Sequence, residues 1–268
     1  MNRKYIFLRR IIYLILGSFD RARRHSIQNL FVLCYHGISN DDWTYSVNLA
    51  DFKRQIQYLL SKGYEFITMA KLLSYLEGHY EIKKPSVILT FDDGYKDILP
   101  VRAFLKTNKI KPTLFILADT KRANIKELEN KRDFLNSNDL KLLLKNGWEI
   151  GSHTTTHSDM YKLSNKDIGK EIKGSKRKIE KDLNIKVDYI AYPKGRYNNR
   201  VLSSTQDCGY KLGLTMDDGK IYRDMNQFLI PRIGVDRTHS FEEFKTLFSP
   251  SVVFFRKIIK QSSIFLKI

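Results

Sequence analysis

The chain has 268 residues, of which 42% are hydrophobic and 12% aromatic, so it can form one large domain with a sizeable core and is not typical of a disordered protein. Its formal net charge of +18 arises largely at the ends, because residues 1–24 (seven Lys or Arg, one Asp) and residues 251–268 (four Lys or Arg, no acidic residue) together supply +10. The interior is therefore only mildly basic, and without a basic stripe or a known binding motif it argues against a nucleic-acid partner.

The N-terminal segment, residues 1–24, is apolar as well as basic. Within Tyr5–Phe19 the pair Arg9–Arg10 interrupts the hydrophobic stretch and leaves a six-residue apolar run, Ile11–Leu16. That run is far shorter than the roughly 20 residues needed to span a bilayer, and it is also short for the core of a signal peptide. We therefore expect neither a spanning helix nor a cleaved signal here.

Beyond this segment, short apolar runs alternate with amphipathic repeats. Apolar runs bounded by turn residues predict strands, and apolar residues at three- and four-residue spacing predict helices. In chain order we predict a strand at Phe31–Tyr35, a helix capped by Asp51 and ended by Gly63, a helix at Met69–Glu77, a strand at Ser86–Phe91, a helix at Ile98–Lys106, a strand at Thr113–Ala118, a helix at Asp139–Lys145, a strand at Trp148–Ile150, a helix from Ser164 to about Leu183, a strand at Val187–Tyr192, a helix at Asn199–Asp207 and a strand at Tyr210–Leu214.

This alternation predicts an α/β fold with a parallel sheet covered on both faces. A barrel and an open doubly wound sheet both fit about seven such units, so the pattern leaves these two architectures open. In both, functional residues gather beyond the carboxyl ends of the strands. His36, Asp92 and Asp93 stand at such ends, and so do the segments that follow Ile150 and Tyr192.

Two motifs at these ends suggest a metal site. ILTFDDGYK, residues 88–96, ends a buried strand in two adjacent carboxylates, and EIGSHTTTH places His153 and His157 four residues apart, on one face if the segment forms a helical turn. Two histidines and one carboxylate complete a three-ligand hydrolytic site with an open position for water. The second carboxylate would then act as a general base beside that water, and the charge of the cation would make the proximity of the two carboxylates tolerable.

Four motifs in this order resemble those of a known family. TFDDGY, SHTTTH and AYPKGRYN resemble the first three motifs of the polysaccharide deacetylase domain, carbohydrate esterase family 4. The upstream CYHGIS resembles the Tyr-His element of the poly-N-acetylglucosamine deacetylase branch, and the resemblance covers roughly residues 31–247. It implies a distorted (β/α) barrel that removes acetyl groups from N-acetylated sugars with a divalent metal ion, usually zinc.

The roles of the catalytic residues follow from this resemblance residue by residue. It implies that Asp93, His153 and His157 bind the metal ion and that Asp92 is the general base. The Tyr-His element supplies the general acid in that branch, which implies this role for His36.

The resemblance also implies a substrate groove around the third motif. The backbone N–H of Lys194 would help to hold the oxyanion, and two tyrosines could flank a sugar ring, although tyrosines at such positions are often simply buried. The expected partner is an N-acetylated glycan or glycolipid. The expected substrate-binding residues are Tyr95, Tyr192, Pro193, Lys194 and Gly195.

This chain departs from the family pattern at two positions. Many members have an arginine two residues before the motif's proline, where it orients the catalytic aspartate, but this chain has Ala191. Arg232, in IPRIGVD, is our candidate for the missing base-orienting residue. Members also often have an aromatic residue where this chain has Lys194. These departures motivate an alternative function, a non-catalytic glycan-binding module that retains the fold.

Amide hydrolysis needs such groups independently of the resemblance. An amide carbonyl is a poor electrophile, so a Lewis acid is needed to polarise it and to lower the pKa of bound water from 15.7 towards about 7. The amine is a poor leaving group, so it must receive a proton, which His36 could deliver as an imidazolium. A two-metal phosphatase or nuclease would need more carboxylates than the sequence places here.

The remaining histidines and a second acidic pair are not assigned to the site. His25 lies in the basic entry segment, His79 follows a helix-ending glycine and His239 lies in a polar loop, so we expect all three at the surface. TMDDGK, with Asp217 and Asp218, lacks the aromatic residue and the tyrosine that flank the first pair, and it predicts a turn, with lining of the groove as the alternative.

The C-terminal residues 251–268 have an amphipathic pattern. Such a basic amphipathic helix suits the surface of an anionic membrane, but it equally suits a helix that covers the domain. As a helix, the segment places Phe254, Phe255, Ile258, Ile259, Phe265 and Leu266 on one side and Arg256, Lys257, Lys260 and Lys267 on the other.

We therefore divide the chain into a basic apolar segment that could associate with a membrane or cover the domain (1–24), a deacetylase domain (25–248) and a basic amphipathic tail (249–268). Two cysteines, Cys34 and Cys208, cannot form a disulfide framework or a thiolate zinc site and favour a reducing compartment. With the basic ends and the lack of a signal, this predicts a cytoplasmic protein, peripheral at the inner face of the membrane, rather than a secreted or cell-surface one.

Overall fold

The computed structural model describes residues 3–23, 30–128 and 132–261 of the chain. The predicted elements between Phe31 and Leu214 are present in the predicted order, with bounds within about three residues of those expected. The strands are β1 (Leu30–Tyr35), β2 (Gly37–Ile38), β3 (Ser46–Val47), β4 (Glu65–Phe66), β5 (Ser86–Phe91), β6 (Thr113–Ile116), β7 (Glu149–Ser152), β8 (Tyr189–Ala191), β9 (Leu212–Leu214) and β10 (Ile233–Gly234). The α-helices are α1 (Arg3–Ala22), α2 (Leu49–Ser61), α3 (Met69–Leu76), α4 (Val101–Thr107), α5 (Ile125–Leu128), α6 (Ser137–Lys145), α7 (Asn165–Leu183), α8 (Asn199–Asp207), α9 (Phe241–Phe244) and α10 (Pro250–Gln261).

The main sheet of the described residues has the strand order β10-β1-β5-β6-β7-β8-β9, and β4 pairs with the start of β5. All of its pairings are parallel, as predicted. β1 and β5 pair along their whole length, from Leu30 opposite Ser86 to Tyr35 opposite Phe91. Every residue of these two strands is buried, which fits their continuous apolar sequences and a sheet covered on both faces.

The segment Ile230–Gly234 connects the two edges of this sheet. Ile230 donates its N–H to the carbonyl of Gly213 and accepts from the N–H of Thr215, each at 2.9 Å, beside β9. Three residues later, β10 pairs with Leu33 and Cys34 of β1. The sheet therefore curls back on itself as a distorted (β/α) barrel, and the open doubly wound alternative is excluded.

Helix α7 shows how the sequence directs the outer layer. The side chain of Ser164 accepts a hydrogen bond from the N–H of Asp167, so the helix begins at the predicted cap. Ile168, Ile172 and Ile179 lie on its buried side, and its lysines line the rest of the helix. This helix packs behind β7 and supports the loop that follows that strand.

Both ends of the described chain are helices that pack on the domain and on each other. Arg9 of α1 is buried and lies 3.0 Å from Glu243 of α9, and Arg256 of α10 is buried and donates to Asp218 at 2.7 Å. Both end helices therefore cover the domain, which is one of the two alternatives that their sequences left open. Within the described ranges, no helix is both long enough and apolar enough to cross a membrane. His25 and the predicted tail residues Phe265, Leu266 and Lys267 lie outside the described residues.

Candidate active site

The end of β5 separates its two carboxylates. The N–H of Asp92 still bonds to the carbonyl of Tyr35 at 2.9 Å, which continues the ladder with β1. Asp93 then adopts a left-handed conformation with φ 70°, followed by Gly94 with φ 80°. Few residues other than glycine adopt this conformation, and it turns the chain sharply here. Both carboxylates are buried, and they contact different partners.

Asp93 lies with the two histidines predicted as its co-ligands. Its Oδ1 is 3.4 Å from Nε2 of His153 and 3.5 Å from Nε2 of His157, and one ligand atom from each residue lies within 4.8 Å of the others. The predicted helical turn is wrong: residues 153–157 form a loop after β7. Positive φ angles at Thr154 (69°) and His157 (63°) bend this loop and bring the rings together.

The chemistry of this triad fits a divalent cation. Nδ1 of His153 lies 2.8 Å from the carbonyl of Ala191, and because a carbonyl oxygen only accepts, Nδ1 carries the proton and Nε2 presents its lone pair to Asp93. Among the described residues, Oδ1 of Asp93 and Nδ1 of His157 are buried without a hydrogen-bond partner. Burial, followed by the charge of Asp92, raises the pKa of Asp93 well above its ordinary value. Burial, with the neighbouring His153, lowers the pKa of His157 to about 2. Burying an ionised carboxylate costs free energy, and a bound cation would compensate that cost. Two neutral imidazoles and one carboxylate are also a donor set that divalent cations prefer.

Asp92 is held by a buried arginine. Arg232 donates from Nη1 to Oδ1 and from Nη2 to Oδ2 of Asp92, both at 2.7 Å, and its Nε donates to the carbonyl of Thr215 at 3.0 Å. The thiol of Cys34 lies 3.4 Å from Oδ2 of Asp92. Burial raises the pKa of Asp92, but the charges of Arg232 and then His153 outweigh it and hold the pKa below the ordinary value. The carboxylate is therefore ionised at neutral pH.

His36 follows β1 and lies near Asp92. Its ring, the thiol of Cys34 and the carboxylate of Asp92 each present an atom within 4.8 Å of the others. Burial lowers the pKa of His36 to about 4, although the charge of Asp92 raises it, so the imidazole is neutral at pH 7. The rings of Trp43 and Tyr45 lie beside it, with centroids 6.1 Å and 5.1 Å away, and Tyr45 is exposed.

Tyr95 and Tyr192, two of the predicted substrate-binding residues, are fully buried, which favours the alternative that they are core residues over stacking on a sugar. The ring of Tyr95 packs on Phe134, and its hydroxyl bonds to Asp93, so it supports a proposed ligand. Tyr192 donates from its hydroxyl to the carbonyl of Phe228 at 3.1 Å beneath the third motif. Both rings are core residues because their neighbours close over them.

The third motif forms a tight turn after β8. Pro193 is buried, while Lys194 is exposed with a left-handed φ of 55°. The turn lies next to the triad, because it follows Ala191, whose carbonyl bonds to Nδ1 of His153, and the charge of Lys194 contributes to the lowered pKa of His157. At Gly195 a Cβ atom would lie 2.5 Å from the backbone nitrogen of Met216, so the approach of these two segments requires glycine.

Sequence reasoning missed the support of the histidine loop. Glu171 of α7 accepts from the N–H groups of Thr155 and Thr156 through Oε2, each at 2.9 Å, and from the hydroxyl of Thr156 through Oε1 at 2.6 Å. A signal was present, because Glu171 lies on the same face of α7 as Ile168 and Ile172, where a charged residue needs a buried partner. Tyr45 was also missed, although it lies in a loop close to the Tyr-His element.

Other sequence predictions have mixed outcomes. His79 is exposed as expected and lies 3.7 Å from Glu77. His239 is instead buried, 3.2 Å from Asp236 and within reach of Arg256, because α10 covers its loop. Asp218, in the predicted turn, is likewise buried and pairs with Arg256 and Lys260 of α10.

Comparisons with known proteins agree with this geometry. Residues 79–213 match the family model for polysaccharide deacetylase. Over 232 residues the chain is 31% identical to a poly-β-1,6-N-acetyl-D-glucosamine N-deacetylase of Staphylococcus aureus (strain MRSA252). The alignment covers 81% of this chain and 76% of that protein.

Solved structures show the same fold. The deacetylase PplD of Streptococcus pyogenes, in complex with acetate, superposes with a TM-score of 0.70 at 27% identity, covering 82% of this chain and 98% of that one. IcaB from Ammonifex degensii superposes with a TM-score of 0.71 at 20% identity, and the match covers 84% of this chain and 97% of that one. At this identity the likeness supports the fold alone. With a family model over half of its length and a relative of this similarity, the chain belongs to the polysaccharide deacetylase family.

Proposed function

We propose that this protein is a metal-dependent hydrolase that removes N-acetyl groups from an N-acetylated sugar in a polysaccharide or glycolipid precursor. One observation carries the proposal: the ligand atoms of Asp93, His153 and His157 converge within 4.8 Å, next to a carboxylate held by Arg232. Within the described residues, Oδ1 of Asp93 is buried without a hydrogen-bond partner, whereas buried polar atoms of a structural core are normally bonded.

Asp93, His153 and His157 are the residues that would hold a divalent ion, with zinc the first candidate for this donor set. When bound, the ion supplies Lewis acidity, which polarises the acetyl carbonyl and lowers the pKa of water. The protein prepares these ligands in advance. The carbonyl of Ala191 fixes the tautomer of His153, and Glu171 fixes the loop between the two histidines.

Asp92 is the proposed general base. The two bonds from Arg232 fix the plane of its carboxylate and keep it ionised, so it can accept a proton from the water that attacks the acetyl carbon. Because Arg232 also holds the pKa of Asp92 low, the carboxylate releases that proton readily. This is the base-orienting role proposed for Arg232.

His36 is the proposed general acid. It is neutral in the free protein, so the proton it donates must arrive during the reaction, and Asp92 in the same cluster can provide it. The proton taken from water thus passes through Asp92 and His36 to the amide nitrogen as the C–N bond breaks. The products are acetic acid and a free amine, and both groups return to their starting protonation states. Acetic acid then ionises to acetate and releases its proton to the amine or to solvent.

The substrate proposed first is poly-β-1,6-N-acetyl-D-glucosamine, because the Staphylococcus aureus relative is named for it. Exposed Tyr45 beside His36 offers a ring face for a sugar, and exposed Lys194 borders the triad from the opposite loop. The backbone N–H of Lys194 remains our proposal for oxyanion stabilisation.

The alternative of a non-catalytic glycan-binding module is less well supported. Its main motivation was the alanine at position 191, which leaves Asp92 without the family's usual arginine partner. Arg232 reaches Asp92 from a different segment and makes two bonds to it. The geometry therefore favours catalysis over binding alone.

The test is acetate release from poly-β-1,6-N-acetyl-D-glucosamine by the purified chain, measured after metal removal by a chelator and after re-addition of zinc. We expect activity to require the ion, elemental analysis to find about one ion per chain, and Asp92→Asn to abolish release. Asp217→Asn is a matched control, because Asp217 lies in a second Asp-Asp-Gly sequence but is exposed and bonds to Tyr197. Wild-type rates in Asp92→Asn would refute the assignment, and glycan binding without ion or acetate release would favour the module.

A further inference from the structure

Helix α1 has an inverted polarity. The side that faces the domain carries Arg9, Tyr13 and Asp20, all buried. Arg9 donates to the carbonyl of Thr238 at 2.7 Å and lies 3.0 Å from Glu243. Asp20 accepts from the N–H and the hydroxyl of Ser251 at 2.9 and 2.7 Å. These polar bonds therefore attach the helix to the domain, together with the packing of Tyr13 and Leu16 on the core.

Its opposite side is apolar and faces outward. Leu8, Ile11, Ile15 and Phe19 recur at three- and four-residue spacing, so they line one side of the helix, and they are between 38% and 62% exposed. A surface helix of a soluble domain normally buries its apolar side and exposes its polar side. An exposed apolar stripe of this kind is typical of a site that contacts another surface.

Helix α10 lies beside α1 and carries exposed apolar side chains of its own. The rings of Phe255 and Tyr13 meet edge to face with centroids 6.3 Å apart, so the two helices are in contact. One turn apart on the outer side of α10, Phe254 and Ile258 are 65% and 46% exposed. We call Leu8, Ile11, Ile15, Phe19, Phe254 and Ile258 together the outer apolar surface.

Exposed basic residues accompany the outer apolar surface. Arg10 and Arg21 are exposed on α1. Lys257 is exposed on α10, between Phe254 and Ile258 in the sequence. Basic side chains next to apolar ones match the headgroups and the acyl region of an anionic bilayer. Two copies of this chain meeting through the same surface would bring these charges against their counterparts. Charge complementarity therefore favours a lipid surface over self-association.

We propose that α1 and α10 form a docking surface for an anionic lipid bilayer, with both helices lying at the headgroup boundary and their outer apolar side chains inserted. The polar bonds on the inner side keep the helices on the domain, so the bilayer meets them from the side. This inference does not depend on the deacetylase reaction, and the two can fail separately.

The test is cosedimentation of the full chain with vesicles of phosphatidylcholine, with and without phosphatidylglycerol. We expect binding to the anionic vesicles at low salt and weaker binding at high salt. Ile15→Ser combined with Phe254→Ser should lower the partition coefficient at least tenfold. Arg10→Gln and Lys257→Gln should each lower it roughly fivefold. Leu142→Ser is the matched control, because Leu142 is also 40% exposed but lies on α6, and it should bind like the wild type.

A second measurement does not depend on loss of binding. Ile15→Trp should show a blue shift of its fluorescence on anionic vesicles, whereas Leu142→Trp should not. The proposal is overturned if the wild type ignores anionic vesicles at low salt, or if Ile15→Ser/Phe254→Ser binds them equally well. It is also overturned if light scattering shows a dimer that these substitutions dissociate while vesicle binding is absent.

Discussion

Replacing Arg232 by methionine tests the electrostatics of the proposed site most directly. Arg232 and Asp92 are both almost completely buried and share two bonds of 2.7 Å. Methionine fills a similar space but leaves the carboxylate in the core with the thiol of Cys34 at 3.4 Å as its remaining side-chain hydrogen bond within the described residues. Breaking a buried pair from one side costs about 3–5 kcal/mol, because an uncompensated charge remains. The unfolding equilibrium should therefore shift by about two to four powers of ten.

Urea unfolding at pH 7 measures this cost, and a second substitution identifies its origin. Adding Asp92→Asn to Arg232→Met removes the unpaired charge, so we expect much of the lost stability to return while activity stays absent. Arg223→Met is the control, because Arg223 forms a comparable 2.6 Å pair with Glu81 at the surface, and its unfolding midpoint should not change. Equal effects of the two arginine substitutions would refute the argument.

The pH dependence of Arg232→Met has a definite sign. In the wild type the pKa of Asp92 is lowered, so its ion pair stabilises the fold above the unfolded value near 4, and this contribution is lost as the pH falls through the folded-state pKa. Without Arg232, burial raises the pKa, so the contribution reverses and stability falls as the pH rises above about 4. The acid limb of the rate profile should also move to higher pH, because the base ionises later. An unshifted limb with wild-type stability would contradict the proposed role.

Four further outcomes test the remaining groups. His36→Ala should lower the turnover of an N-acetylated sugar by about 10²–10⁴ but affect far less the hydrolysis of an aryl acetate, whose leaving group needs no proton; equal losses would argue against a general acid. Tyr45→Ala should raise KM several-fold with little change in kcat, while Tyr45→Phe stays near the wild type; a loss in kcat alone would contradict sugar stacking. Glu171→Ala leaves two backbone N–H groups without their acceptor, so zinc affinity in a chelator competition should fall about 10- to 100-fold, and an unchanged affinity would show that the loop needs no such support. Burial raises the pKa of Asp218, but Arg256 and Lys260 outweigh it and lower the pKa. Its stabilisation should therefore be present above pH about 4 and lost as the pH falls, so Asp218→Asn should cost about 3–5 kcal/mol in urea at pH 7 and less at pH 3.

Local sequence patterns predicted the strands but not how the sheet closes. Continuous apolar runs such as Ser86–Phe91 can lie only inside a covered sheet, so their positions follow from the pattern. β10 has two residues, and its place between the sheet edges depends on hydrogen bonds to strands that are far away in sequence. No periodicity can appear in so short a segment, which is why the barrel and the open sheet both fitted the sequence.

The candidate site was predicted as a set of residues better than as a geometry. The motifs predicted that Asp93, His153 and His157 lie together, because they follow parallel strands that end at the same edge of the sheet. The helical turn assumed for the histidines was wrong, since backbone angles of the left-handed kind have no sequence signal at Thr154 or His157. Burial of the two tyrosines likewise depends on tertiary neighbours that a motif does not contain.

The position of Arg232 links the closure of the barrel to the proposed chemistry. Arg232 stands between Ile230, which is bonded to β9, and β10, which pairs with β1, so its guanidinium enters the site from the segment that joins the sheet edges. Since Arg232 already binds Asp92, no arginine is needed at position 191. Ala191 contributes only its backbone carbonyl, which bonds to Nδ1 of His153. Opening of the sheet at this seam should withdraw the partner of Asp92 but leave the candidate metal ligands in place, because β5 and the loop after β7 carry them. Local unfolding at the seam should therefore abolish catalysis before it releases a bound ion.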